Sequence, residues 1–306
     1  MTDYLVYLVT IAGIWAILSL SLNLQFGLAG LVNLGHIAFF CLGAYTSTIL
    51  VMNGGLPIWA GALGGIAAAA LFGVLMALPT ARLQQDYWGI STLAAAEIVR
   101  VIFLNTSIGS PYVGQAFGIS GIPKPFRQWF NEQGYSIAAY NLFYMGLVLL
   151  CLLLVFLFCI WLARTPFART LKALREDDAV PLALGKSGES FRIRAMAIGG
   201  GIGGLAGALF AHFNGFIEPE LFRPIETFLI WAMVILGGAG NALGAIVGTF
   251  LVMVIYTGTR YVLPLLNIEP QIAGSLRMII IGVLIILVIL FLPKGLLPER
   301  RRRLDR

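Results

Sequence analysis

Charge is what this chain has least of. Lys, Arg, Asp and Glu make up 11% of its 306 residues against 59% apolar ones, and no charged residue occurs between Asp3 and Arg82. A soluble domain carries about a quarter charged residues. So little charge cannot clothe a chain of this length in water, and much of its surface must face lipid. Cysteine and histidine are scarce as well. Cys41, Cys151 and Cys159 all lie in apolar stretches. Cys151 and Cys159 stand roughly 12 Å apart along one predicted helix, too far for a disulfide, and all three read as small hydrophobes. His36 and His212 are the only histidines, and no cysteine pair stands at ligand spacing, which argues against a zinc site. The start, Met1-Thr2-Asp3-Tyr4, lacks a basic leader region, and the apolar run behind it is longer than that of a signal peptide. It is expected to be a retained span.

Spans of ~20 apolar residues are expected near 5–26, 34–52, 57–80, 87–105, 138–163, 195–214, 227–258 and 272–292. The 227–258 stretch is interrupted at Gly237-Gly238-Ala239-Gly240-Asn241, and the first two spans are parted by Gly27-Leu28-Ala29-Gly30 with Asn33 and Gly35. The backbone must satisfy its own hydrogen bonds in lipid, so every span should be helical. The expected fold is all-α: a polytopic transmembrane helical bundle with broken helices, one domain over residues 1–306. Segments 164–194 and 294–306 hold 13 of the 20 basic residues. Both are therefore expected on the cytoplasmic side, with the C-terminus, and 106–136 outside. An even number of crossings must then separate the two basic segments. Splitting the 227–258 stretch restores that parity, although its first half is short for a crossing. A break of this kind either marks a translocation path or is a tight hairpin without a role.

Two familiar motifs fail on inspection. Gly185-Lys186-Ser187 resembles the end of a phosphate-binding loop, but Val180 stands where that motif needs glycine. Gly199, Gly201 and Gly204 match a dinucleotide fingerprint, but no strand precedes them. The repeats Gly199, Gly203, Gly207 and Gly240, Gly244, Gly248 read better as faces for close helix packing. No nucleophile–base pair stands at recognisable spacing.

Several stretches converge on one family. They are the run from Ser21 to His36 with Gly43-Ala44-Tyr45, the run from Ser91 to Arg100, and Gly118-Ile-Ser-Gly-Ile-Pro123. To these add the run from Ala173 to Asp178 with Ala183-Leu-Gly185, Leu205-Ala-Gly-Ala208, the run from Leu236 to Gly244, and Leu292-Pro-Lys-Gly-Leu296. In this order they resemble the LivM-type permease subunits of branched-chain amino-acid ATP-binding-cassette importers. The resemblance implies a half-transporter in the bacterial inner membrane. Its implied partners are a homologous second permease, two cytoplasmic ATPase subunits and an external solute-binding protein, with the lipid bilayer around it and no nucleic acid. The chain itself would hold no cofactor and no ATPase site, so it would not be an enzyme. ATP would be bound by the partner subunits, and transport would run by alternating access.

The loop helix implied by the resemblance would couple to the ATPase, with Leu171, Leu174 and Leu182 supplying apolar contacts and Arg175, Glu176 and Asp177 polar ones. Asn23, Asn33 and His36 flank the first glycine break and either line the path or cap broken helix ends. Glu97 and Arg100, three apart on one helix face, either neutralise each other or gate the path. Glu218, Glu220 and Arg223 form a candidate docking surface for the binding protein. Few charges lie within the spans, which suits a solute without net charge. Branched-chain or other neutral amino acids lead. A same-family permease for urea or short amides, and a stand-alone secondary transporter, are the alternatives.

Overall fold

The computed structural model describes residues 2–80, 85–106, 115–177, 181, 185–265, 276, 279, 282–283, 286–287, 290–292 and 295–299. The architecture is the expected helical bundle. Helix α1 (Thr2–Leu22) widens into a π-helical turn (Asn23–Leu28). It is followed by α2 (Ile37–Met52), α3 (Ile58–Thr80), α4 (Gln85–Asn105), the short α5 (Arg127–Glu132) and α6 (Ile137–Ala163). Then come α7 (Pro166–Glu176), α8 (Gly188–Asn214), α9 (Ile225–Gly237) and α10 (Ala242–Leu265). Five of the described helices are long and apolar enough to cross a membrane, and the shorter α2 and α9 are as apolar.

Two ends can be told apart by what meets there. At one, strand β1 (Ile119–Ser120) pairs antiparallel with β2 (Phe216–Ile217), with Ile119 opposite Ile217, so segments 115–136 and 215–224 share that end. His212 ties them to the bundle. Its Nδ1–H donates to the Pro123 carbonyl (2.7 Å), which leaves Nε2 to accept from the Ser47 hydroxyl (2.9 Å). At the other end α7 meets residues 295–299 and the break between α9 and α10. The loop helix α7 and tail residues 295–299 therefore share one end, while the basic residues of the tail lie outside the described residues. Helices α9 and α10 are separate, α9 has 13 residues, and the 3₁₀ turn ahead of it (Pro219–Phe222) buries Phe222; most of the expected span 272–292 lies outside the described residues.

Two boundaries differ from expectation. The loop helix ends its segment earlier than 194: Ser187 accepts from the Ser190 N–H and caps α8 from Gly188, so Arg192 and Arg194 belong to a span's first turns. The Gly185-Lys186-Ser187 triplet is thus a helix start. Gly240 does not continue the stripe of Gly244 and Gly248. It lies in the break, with φ +86°.

The core is α2, α3 and α8, which approach backbone to backbone. A Cβ on Gly43 would overlap the Gly204 carbonyl, one on Gly65 would press on Gly43, and one on Gly207 would overlap the Phe40 carbonyl. Without a hydrophobic drive between helices in lipid, such close approach is what holds them together. By contrast α6 turns Leu150, Leu153, Leu154 and Leu157 outward. Gly207→Ala is therefore expected to lower the unfolding midpoint in detergent, at a cost of about 1–3 kcal/mol. Gly146→Ala, with nothing within 4 Å of the added carbon, should leave it unchanged, and equal effects would contradict this packing.

Candidate functional site

The two helix breaks are built to be satisfied. The Gly30 and Leu31 N–H groups still donate to the Phe26 and Gln25 carbonyls of the π-helical turn (2.9 and 3.1 Å), and beyond them side chains take over part of the backbone bonding. Trp231 Nε1 donates to the Asn33 carbonyl (3.0 Å), the Leu34 N–H donates to Thr92 Oγ1 (3.1 Å) and the Ile37 N–H to Thr227 Oγ1 (3.2 Å). Gln25 Oε1 accepts from Asn33 Nδ2 (2.9 Å) and from His36 Nδ1 (3.1 Å), and Asn33 Oδ1 accepts from the Gly35 N–H (3.0 Å). Asn33 and His36 are fully enclosed, at 0% exposure. Asn33 and Asn23 bond backbone N–H groups at the breaks, while His36 bonds Gln25 and caps no helix end with its side chain. The other break joins the first directly, since the Gly240 N–H donates to Asn23 Oδ1 (2.8 Å).

At this junction the loop helix and the tail enter. Thr165 caps α7 by accepting from the Ala168 N–H, with Pro166 at its first position. Arg175 extends from α7 over Gly30, where any side chain would collide with it. Its guanidinium donates to the Gly27 carbonyl in the π-helical turn and to Glu299 Oε2 (2.9 Å). The other oxygen of Glu299 pairs with Lys172 (2.6 Å). The Glu299 carboxyl fills the space beside Gly240, and the tail continues the contact, with the Leu296 and Leu297 N–H groups donating to the Leu236 and Gly237 carbonyls (2.8 and 3.0 Å). One carboxylate thus binds α7 beside both breaks. A cavity of about 680 Å³ opens next to it, lined among others by Asn23, Arg164, Lys172, Asn241 and Glu299. Burial pushes the Glu299 carboxyl up, but the hydrogen bonds and charges of Lys172 and Arg175 outweigh this and hold it below the usual carboxylate range.

This geometry corrects one expectation. Leu171 and Leu174 are 0% and 5% exposed. They face the bundle, because the amphipathic α7 buries its apolar side on its own chain, and so they are not open to a partner. The outward side of α7 carries Arg169, Glu176 and Asp177. Leu182 lies outside the described residues. Glu299 was not foreseen, since one acidic residue before an arginine run gives no periodic or spacing signal.

At the ribbon end, the pair Glu97–Arg100 is part of a larger cluster. Arg100 Nε donates to both Glu97 oxygens (3.1 and 3.0 Å), while Nη1 crosses to Glu220 Oε1 (3.0 Å), which in turn pairs with Arg223. Two sets of residues read separately in the sequence are therefore one group, joined by Arg100 and Glu220, 120 positions apart. Glu218 is half-buried beside it. Phe103, one turn beyond Arg100, stacks on Tyr45 (centroids 4.0 Å apart). Among the described residues no three His, Cys, Asp or Glu side chains converge as metal ligands would.

Spans with apolar outer faces, close glycine contacts and two broken helices satisfied inside protein define an integral-membrane protein of the transporter type. The chain belongs to the family of branched-chain amino acid transport system permease components, whose model matches residues 4–289. It is 35% identical, over 96% of its length and 70% of the relative's, to the high-affinity branched-chain amino acid transport system permease protein LivM of Escherichia coli (strain K12), and equally so to that of Salmonella typhimurium (strain LT2). It is 29% identical to a probable LivM permease of Methanocaldococcus jannaschii, over 94% and 91% of the two chains. No solved structure matches it.

Glu299→Gln should loosen both breaks together, at a cost of about 2 kcal/mol for the lost charged hydrogen bonds. Hydrogen exchange should then quicken in 23–35 and in 236–241, and a change in only one would contradict the shared anchor. Because the folded Glu299 titrates below its ordinary value of 4.5, this contribution is complete at neutral pH. It is lost as the pH falls from about 4.5 through the lowered value.

Proposed function

We propose that this chain is the membrane-spanning permease subunit of an ATP-binding-cassette importer for branched-chain amino acids. Its partners in this reading are a homologous second permease, two cytoplasmic ATPases and an external solute-binding protein. The observation that carries the reading is the family match over nearly the whole chain, together with relatives named as parts of branched-chain amino acid transport systems. The location is the inner membrane, with the basic end and the C-terminus in the cytoplasm, because cytoplasmic segments concentrate Lys and Arg.

In this assembly α7 is the coupling helix. Its outward polar side, with Arg169, Glu176 and Asp177, meets the ATPase, while Arg175 faces inward and carries the movement to the breaks. Glu97 and Arg100 stand beside the solute path. Glu218, Glu220 and Arg223 offer the outer surface to the binding protein, Arg223 being the most open of the three, with 59% of its side chain exposed. Alternating access follows when ATP binding moves α7 and, through Arg175 and Glu299, the two breaks at the inner end. The chain has no nucleotide loop of its own, so energy enters through its partners.

The assembled complex is expected to take up leucine, isoleucine or valine in preference to lysine or glutamate, with ATP hydrolysis stimulated by the loaded binding protein. The chain alone in liposomes should do neither. Competition by urea or short amides without competition by leucine would replace the solute, and uptake by the lone chain would overturn the half-transporter. Glu176→Cys should be labelled only from the cytoplasm and Glu132→Cys only from outside. Labelling of both from outside in sealed cells would overturn this topology.

A further inference from the structure

The cavity beside the Glu299 anchor has two unlike parts. Its wall is apolar: Leu20, Leu24 and Leu28 stand on one side and Phe156, Cys159 and Ile160 of α6 on the other. Its rim is basic, with Arg164 just past the end of α6 and Lys172 on α7. Glu299 is the only acid among the described lining residues, and Lys172 and Arg175 already hold its two oxygens (2.6 and 2.9 Å). Arg164 is exposed, and its guanidinium makes no hydrogen bond or ion pair with the described residues. The cavity therefore joins an apolar wall to a cation that nothing in the chain neutralises.

Its depth in the membrane can be read from α6. That helix carries no charged residue from Ile137 to Ala163. Its outward face runs through Leu154 and Leu157 to Trp161, which is 61% exposed and lies one turn before Arg164. A tryptophan followed by a base marks the level where acyl chains give way to headgroups. Phe156, Cys159 and Ile160 lie between these outward residues in sequence, so the cavity wall and the lipid-facing surface adjoin on one helix.

The two parts together select the occupant. A soluble anion would satisfy Arg164 but leave the apolar wall wet. A zwitterionic headgroup would bring an ammonium towards two bases, with no free acid to receive it. An anionic headgroup with acyl chains satisfies both parts, and basic pockets between helices on the cytoplasmic side suit such lipids. At about 680 Å³ the space takes a headgroup and the upper part of its chains, and the rest of the chains can follow α6.

We propose that this cavity binds one anionic phospholipid of the cytoplasmic leaflet, with Arg164 and Lys172 at its phosphate and the walls of α1 and α6 along its chains. The inference goes beyond the transport reading. It needs the membrane and this end's place in it, and neither the solute nor the ATPases.

The test is native mass spectrometry of the full-length chain, purified and delipidated in detergent, as phosphatidylglycerol or phosphatidylcholine is added. One phosphatidylglycerol is expected to bind at least about fivefold more tightly than phosphatidylcholine, the weight of one base near an anionic group. Arg164→Gln should weaken phosphatidylglycerol by about that factor and leave phosphatidylcholine unchanged. Arg194→Gln, an exposed base on α8 that does not line the cavity, should change neither. Ala163→Trp narrows the cavity without altering its charge and should weaken phosphatidylglycerol as much. Arg164 is exposed and unpaired, so its variant keeps the test decisive even if the bulky one does not fold. Equal affinity for the two lipids would overturn the site, as would equal effects of Arg164→Gln and Arg194→Gln. Displacement of the lipid by millimolar inorganic phosphate or leucine would also overturn it, since the cavity would then serve a soluble anion or the solute. Uptake is not measured, so a failure of the importer reading leaves these outcomes unchanged.

Discussion

Backbone groups that leave a helix inside a membrane must find partners within the protein, and everything particular to this chain follows from two places where that happens. After Leu28 and after Gly237 the helices stop within the bundle. The first break is satisfied by side chains from α4 and α9, the second by Asn23 and the tail. Each break also presses on the other, since a side chain at Gly27 would collide with Gly240. The breaks are therefore one structure, although 200 residues of chain lie between them.

That structure has a handle. Arg175 and Glu299 attach the loop helix to it, and the apolar side of α7 is spent on the same attachment. A helix whose Leu171 and Leu174 are buried on its own chain cannot slide freely over the bundle. It moves with what it is packed on. In the importer proposed above, a push on the outward residues of α7 would therefore displace both breaks together. At the opposite end the Glu97–Arg223 cluster joins α4 to the turn that leads into α9, so the ribbon end is linked to the same broken helix.

Much of this was legible in the sequence, and the limits have physical causes. Long apolar runs and breakers foreshadowed the described span-length helices, and the break at 237–241 could be seen from its glycines. What periodicity cannot tell is which neighbour an amphipathic helix packs against, so Leu171 and Leu174 read as partner contacts when they are internal ones. Contacts between distant segments leave no local pattern either. The Arg100–Glu220 pair and the anchoring by Glu299 belong to that kind, as does the use of Thr92, Thr227 and Trp231 as substitutes for helix hydrogen bonds. The polar residues Asn33 and His36 were visible; their burial was not.

The central claim is that the loop helix and the two breaks move as one body. Pulsed electron resonance between labels at Glu176→Cys and Leu243→Cys, both exposed, in the assembled transporter tests it most directly. The distance distribution should stay the same in the nucleotide-free and ATP-bound states, while that between Glu176→Cys and a label at Glu132→Cys shifts. A nucleotide-dependent change between 176 and 243 would contradict it.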